Sequence, residues 1–257
     1  MKAYLFPGQG SQHVGMGEDL FARFPDLVQE ADAILGYSIA DLCLTDADRK
    51  LTQTDFTQPA LFVVNALTAR QQRETDGQEP AYAAGHSIGE YNALHFAGAL
   101  SFSDGLRLVQ KRGALMATAP KGTMAAVIGP PPDTVRRILS DGGLDAVDIA
   151  NLNSDKQTII SGLVEDIDRA QDVFAEAEGM FIPLNVGGAF HSRYMQPVAD
   201  AFAAFLQGFT FAAPRLPVLA NVDARPHDPN GIAASLARQL TAPVLWRDSM
   251  HAMLDAG

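Results

Sequence analysis

The chain has 257 residues, 47% of them hydrophobic and 19% charged, and its 30 acidic against 19 basic side chains give a formal charge of −11. That composition supplies a sizeable core, in one large domain or about two smaller ones, and excludes a largely disordered chain. The negative balance argues against nucleic-acid or anionic-membrane partners, and neither an apolar run of about 18 residues for a membrane helix nor the long apolar stretch of a signal peptide is present, so a cytoplasmic protein is expected.

Along the chain, AYLF near the N-terminus predicts a strand running into the Gly-rich turn at Pro7–Gly10. The single cysteine, Cys43, excludes internal disulfides and a Cys-based zinc site; in the setting IADLCL it is expected as a small core residue rather than a nucleophile. A helix is predicted from about Pro59 to Arg70, with TQP supplying a cap and a first-turn proline. This alternation of strand and helix points to an α/β layer with a parallel sheet. YAAGHSIGEYNALHFAGAL then reads as a small-residue strand, a tight turn at Ser87 and a helix, the strand–elbow–helix context that a G-x-S-x-G nucleophile requires in an α/β-hydrolase-like subdomain.

From about Thr123 to Val186 the pattern changes. MAAVIG, DAVDIANL, QTIISG and MFIPLNV read as strands, PPDTVRRILSDG and VEDIDRAQDVFAEAEG as helices, and the order β-α-β-β-α-β is that of a ferredoxin-like unit. The expected organisation is therefore an α/β-hydrolase-like large subdomain over 1–122 and 187–257 with an inserted ferredoxin-like small subdomain over 123–186. Beyond the insert, HSRYMQPVADAFAAFLQGF has apolar residues at helical spacing and PVLANV reads as a further strand.

A serine at such an elbow lies near a helix N-terminus, where the Ile88 N–H is the natural first oxyanion donor. A lone G-x-S-x-G is better read as a helix cap, so a base is needed. Of the six histidines, His86 adjoins the serine and His95 lies two turns down the helix. His191, after a Gly187–Gly188 turn and at the start of the next helix, is the one expected to present an exposed imidazole to the elbow. In SFSDGLRLVQKRGALMAT, Leu108, Val109, Leu115 and Met116 form one apolar stripe with Arg112 at its centre and Arg107 and Lys111 off it. A buried guanidinium is costly unless paired, and its partner is either an internal Asp or Glu or the carboxylate of a substrate; the spacing leaves both open.

FPGQGSQ at Phe6–Gln12, TQPAL at Thr57–Leu61, GHSIGEYNAL at Gly85–Leu94, KRG at Lys111–Gly113, GAFHSRYM at Gly188–Met195 and RQLTAPVLW at Arg238–Trp246 together resemble malonyl-CoA:acyl carrier protein transacylases and the acyltransferases of polyketide synthases, in particular the free-standing ones that act in trans. The resemblance spans nearly the whole chain in order. It implies Ser87 as nucleophile, His191 as its base, Ile88 and Gln9 at the oxyanion hole, and Arg112 on the malonyl carboxylate. It further implies that a main-chain carbonyl at Gln239 orients the histidine in place of an acid, and that Asn151 and Asn153 line the cleft. Ile88 after the serine and Ala189–Phe190 before the histidine resemble malonyl rather than methylmalonyl selection. One departure is expected to matter: the sequence ends at Gly257 in a helical pattern, where the family continues with another strand and a Gly-Pro-Gly turn.

The expected activity is a ping-pong acyltransferase, an [acyl-carrier-protein] S-malonyltransferase with malonyl-CoA and an acyl carrier protein as partners, serving polyketide or fatty-acid synthesis. It is expected to need no metal or other cofactor and to work as a monomer. An editing hydrolase of acyl carrier proteins would share the elbow and histidine but make little use of Arg112; an inactive docking module would need none of the three. Lys121, Arg136, Arg137, Lys156 and Arg193 are the basic residues expected to meet an acidic carrier protein.

Overall fold

A computed structural model describes residues 1–175 and 179–257. By packing they divide into two units, one of Met1–Ala117, Phe205–Ala220 and Arg225–Ala233, the other of Thr118–Ala204, Asn221–Ala224 and Ala234–Gly257.

The first unit opens with β1, Ala3–Phe6, followed by three helices, α1 (Glu18–Arg23), α2 (Pro25–Leu35) and α3 (Ile39–Leu44). Their ends have clear local causes: Pro25 opens α2, Gly36 at φ 81° closes it, and the Ser38 hydroxyl accepts the Asp41 N–H to cap α3. Helix α4 runs from Thr54 to Asp76, so it begins earlier than the sequence suggested and Pro59 lies inside it rather than in its first turn. The turn before the proline is secured by Thr57, whose N–H and hydroxyl both bond the Gln53 carbonyl, and the ring removes only one N–H from the ladder. Next come β2 (Tyr82–Gly85), α5 (Gly89–Phe96) and α6 (Phe102–Ala117). β1 and β2 run parallel, Ala3 opposite Tyr82 through Phe6 opposite Gly85. Helix α6 packs along α4 and buries Leu108, Val109 and Met116 of the expected stripe together with Arg112; Leu115 is only half-buried, and Leu106 is buried in addition.

The second unit is built on β3 (Thr123–Ile128), α7 (Pro132–Asp141), β4 (Asp148–Ser154), β5 (Gln157–Gly162), α8 (Val164–Ala175) and β6 (Met180–Pro183). The sheet order is β4-β5-β3-β6 with every neighbouring pair antiparallel, which is the ferredoxin-like order. Residues 176–178, at the end of the helix read from VEDIDRAQDVFAEAEG, lie outside the described residues. Val135 and Leu139 of α7 and Ile167 and Phe174 of α8 pack on Val127 and Ile160 of the sheet in one apolar cluster.

Helix α9 spans Gln196–Leu206. His191 does not open it; Ser192 caps a 3₁₀ turn over Arg193–Met195 that leads into α9, because its hydroxyl accepts the Tyr194 N–H. Strand β7 is only Val218–Leu219, since the Ala220 N–H already turns to the Arg225 carbonyl. It lies parallel to β2, completing a sheet of order β1-β2-β7. Helices α10 (Ile232–Gln239) and α11 (Trp246–Asp255) follow. The fold is thus α/β: a hydrolase-like part with a parallel sheet, and a ferredoxin-like part with an antiparallel one.

Candidate active site

Ser87 sits between the end of β2 and the first residue of α5 with φ 51°, the left-handed region that non-glycine residues seldom adopt. Two glycines make the turn possible. A Cβ on Gly85 would lie 1.9 Å from the Gly89 backbone, and one on Gly89 would lie 2.3 Å from the Phe6 carbonyl oxygen, so both positions exclude any side chain. The N–H groups of Gly89, Glu90 and Tyr91 bond the carbonyls of His86, Ser87 and Ile88, while the Ile88 N–H stands ahead of this ladder at the helix start. The turn carrying Gln9 lies against the elbow: a Cβ on Gly8 would be 2.6 Å from the His86 carbonyl oxygen, and the Gln9 amide reaches Thr54 Oγ1 at 3.4 Å.

Arg112 is 1% exposed. Its Nη2 donates to Ser87 Oγ at 3.0 Å and its Nη1 to Gln58 Oε1 at 2.7 Å, and Gln58 is held in turn by a bond from Nε2 to Met116 Sδ. The guanidinium carbon lies 5.6 Å from the centre of the Tyr91 ring. Burial lowers the Arg112 pKa, with Tyr91 and Glu90 pulling it back up, and burial pushes the Tyr91 hydroxyl well up from its ordinary value. Both of these bonded acceptors, an amide and a hydroxyl, are neutral. One turn below Ser87, the fully buried Glu90 accepts a bond of 2.7 Å from His227 Nε2.

In the second unit His191 is buried, 5% exposed, rather than presenting an exposed ring, and its backbone has φ 56°. Its Nδ1 bonds the Gln239 carbonyl oxygen at 2.8 Å. A carbonyl only accepts, so Nδ1 carries a proton, and in the neutral ring the lone pair is on Nε2. The Gln239 side chain reaches Asn221 Oδ1 at 3.5 Å. Asn151 is buried on β4, and Asn153 turns back across the hairpin to Gln157 Oε1 at 3.1 Å. A cavity of about 490 Å³ in this unit is lined by Arg136, Asp145, Asp148, His191, Arg193 and Thr241 among others.

The sequence brought Ser87, Arg112, His191 and Gln239 into view and missed Gln58, Tyr91, Glu90 and His227. Gln58 was read only as part of a helix cap, although it stands in the same TQPAL motif; His227 sits in the irregular segment RPHDPN, where no periodicity marks a buried position. Cys43 is buried, and burial pushes its thiol up to about 12, so it is no nucleophile. No helix among the described residues is long and apolar enough to cross a membrane.

A serine forced into this strained turn, with hydrogen-bond donors around it, suits one kind of chemistry: covalent acyl transfer, and that is the class of enzyme to which the chain belongs. Residues 3–257 match the family described as acyl transferase domain, and the chain is a member of that family. It is 51% identical to the polyketide biosynthesis malonyl CoA-acyl carrier protein transacylase BaeC of Bacillus velezensis, over 100% of this chain and 90% of that protein. It is 48% identical to the polyketide biosynthesis protein ThaF of Burkholderia thailandensis, where its whole length covers 22% of that longer protein. The crystal structure of a malonyl CoA-acyl carrier protein transacylase from Burkholderia pseudomallei superposes with a TM-score of 0.96 at 46% identity, over 99% of this chain and 88% of that one.

Proposed function

We propose that this protein moves a malonyl group from malonyl-CoA to the phosphopantetheine thiol of an acyl carrier protein through an acyl-enzyme on Ser87, in polyketide or fatty-acid synthesis. His191 Nε2 takes the Ser87 proton as Oγ attacks the thioester carbonyl, and the N–H groups of Ile88 and Gln9 receive the developing oxyanion. The C–S bond breaks and the CoA sulfur leaves with the proton from His191. The carrier thiol then reverses the sequence: its proton passes to His191, its sulfur attacks the Ser87 ester, and Ser87 Oγ leaves and recovers a proton. The Gln239 carbonyl holds the imidazole in the tautomer this requires. On this reading the chemistry needs no metal or redox cofactor, and the protein works as a monomer in the cytoplasm.

The observation that carries the malonyl reading is the bond from Arg112 Nη2 to Ser87 Oγ at 3.0 Å. A guanidinium buried against the very atom that is acylated lies within reach of a carboxylate on the acyl group, and its planar fork matches that carboxylate. The activities of the relatives support the same substrate and partner.

The carrier is expected to meet the second unit, but with fewer basic residues than the sequence suggested. Asp148 holds Arg193 through Nε at 3.0 Å and through Nη2, and Asp133 holds Arg136 at 3.0 Å, so these two charges are locally balanced. The exposed Lys121, Arg137 and Lys156 have no ion pair among the described residues and are the better contacts.

Incubation with malonyl-CoA is expected to add one malonyl group, mapped by peptide mass spectrometry to Ser87 and absent in Ser87→Ala, and addition of holo carrier protein is expected to remove it as malonyl-carrier. A label on any other residue contradicts the nucleophile, and rapid release of free malonate without carrier contradicts the transferase.

A further inference from the structure

Arg112 is the only buried Lys or Arg among the described residues, and Glu90 is the only buried Asp or Glu. Both belong to the first unit. Glu90 lies three residues after Ser87 in the first turn of α5, and its N–H bonds the Ser87 carbonyl at 3.1 Å. Arg112 reaches that same turn from α6, through Ser87 Oγ and over the ring of Tyr91, the residue next to Glu90. One buried cation and one buried carboxylate therefore converge on a single helical turn. The carboxylate is not left to itself: His227 Nε2 lies 2.7 Å from Glu90 Oε1, with 1% and 0% of the two side chains exposed. His227 is tied down at its backbone by a bond to the Val218 carbonyl at 2.9 Å, at the start of β7. The electrostatics run the same way: burial lowers the Arg112 pKa, and first Tyr91 and then Glu90 act against it, favouring the charged form.

We propose that Glu90, anchored by His227, is the standing counter-charge of Arg112 and thereby sets how strongly Arg112 prefers a donor with a free carboxylate. The consequence for selectivity rests on the reading of Arg112 given above; the pairing of the charges does not. An arriving malonyl carboxylate then shares Arg112 with the carboxyl group of Glu90. Replacing Glu90 by a neutral side chain removes that share and leaves more of the guanidinium's charge to the malonyl group. Glu90 therefore stabilises the unloaded protein while moderating its grip on the acyl group, and it acts through Arg112 as a positioning and specificity residue.

Glu90→Gln is the cleanest variant, because the amide keeps the shape and an oxygen that accepts from His227. Two measurements read it. In urea unfolding, Glu90→Gln is expected to destabilise the protein, and to do so at least tenfold less in the unfolding equilibrium constant when Arg112→Gln is already present; additive effects of the two substitutions would overturn the pairing. In steady-state kinetics, Glu90→Gln is expected to lower the KM for malonyl-CoA by about tenfold, a usual size for a like-charge interaction partly screened inside a protein, and to leave the KM for acetyl-CoA unchanged. Equal changes for both donors, or a rise in the malonyl KM, would overturn the selectivity role and leave Glu90 a purely structural residue. His227→Ala is expected to shift the malonyl-to-acetyl ratio, and His227→Gln, which keeps an N–H in place of Nε2, to restore it; failure of the restoration contradicts the anchor. If Arg112→Gln alone leaves the donor ratio untouched, it is the malonyl reading of Arg112 that fails, while the unfolding cycle still reports on the charge pair.

Discussion

In the second unit Val127, Val135, Ile160, Ile167 and Phe174 form an apolar cluster between the antiparallel sheet and its helices α7 and α8. In the first unit the positions around α4, α5 and α6 bury Gln58, Glu90, Arg112 and His227, held by the bonds given above, together with Asn65, whose Nδ2 reaches the Pro7 carbonyl and Asn92 Oδ1, and Asn92, whose Nδ2 donates to the Phe62 carbonyl. Burying polar groups costs free energy that only complete pairing offsets, whereas an apolar core stabilises in proportion to the surface it removes from water. Both units bury neutral polar side chains, the second among them Asn151, Thr158, Ser161 and Gln239, but the only buried Lys, Arg, Asp or Glu side chains among the described residues, Arg112 and Glu90, belong to the first. The contrast is therefore one of buried charge: the first unit offsets it by pairing, and the second has little of it to offset.

The largest expected effect tests His191, the proposed base. His191→Ala should slow Ser87 acylation by roughly 10³-fold or more in a rapid-quench measurement, with the fold intact by circular dichroism. A loss under tenfold would remove His191 from the mechanism. Next in size is the apolar core itself: Ile160, fully buried at the centre of the sheet, should cost about 2–5 kcal/mol of unfolding free energy when replaced by Ala, while the malonyl-CoA KM of the folded protein stays level. A changed KM would show that this core and the chemistry are coupled. Smaller still is Gln58→Ala, which removes the acceptor of Arg112 Nη1. Malonyl kcat/KM should fall about tenfold with acetyl transfer unchanged, as expected for a single hydrogen bond to a charged group. Smallest is charge reversal at Lys156, exposed in the β4–β5 turn, which should raise the KM for the carrier protein a few-fold and leave acylation by malonyl-CoA as it was. An equal effect on both half-reactions would place CoA rather than the carrier on that surface.

Much of this division was legible in the sequence, for identifiable reasons. The four strands and two helices of the ferredoxin-like part announce themselves because their apolar periods change cleanly at prolines and glycines. Ser87 was legible because the two glycines around it are forced by backbone contact, and Arg112 because a charge on an apolar stripe demands a partner. What stayed hidden depends on tertiary contact. The short helices α1 and α3 have too few turns to show a period, and α4 continues through Pro59, a residue that locally signals a start. His191 was expected as an exposed ring at a helix start, but the bond to Gln239, 48 residues away in sequence, buries it. Glu90 and His227 are 137 residues apart, and nothing in either neighbourhood reveals that they meet.

On the proposed reading, Arg112 makes a general acyl-transfer serine prefer an acyl group that carries a carboxylate. The most direct measurement is a competition between malonyl-CoA and acetyl-CoA for Ser87, read by mass spectrometry of the acyl-enzyme in the wild type and in Arg112→Ala. The predicted result is a fall in malonyl kcat/KM of roughly 10- to 150-fold, the worth of a charge-assisted pair of about 1.5–3 kcal/mol, with acetyl loading level or higher. Equal losses for the two donors would contradict it and make Arg112 a structural support of the elbow.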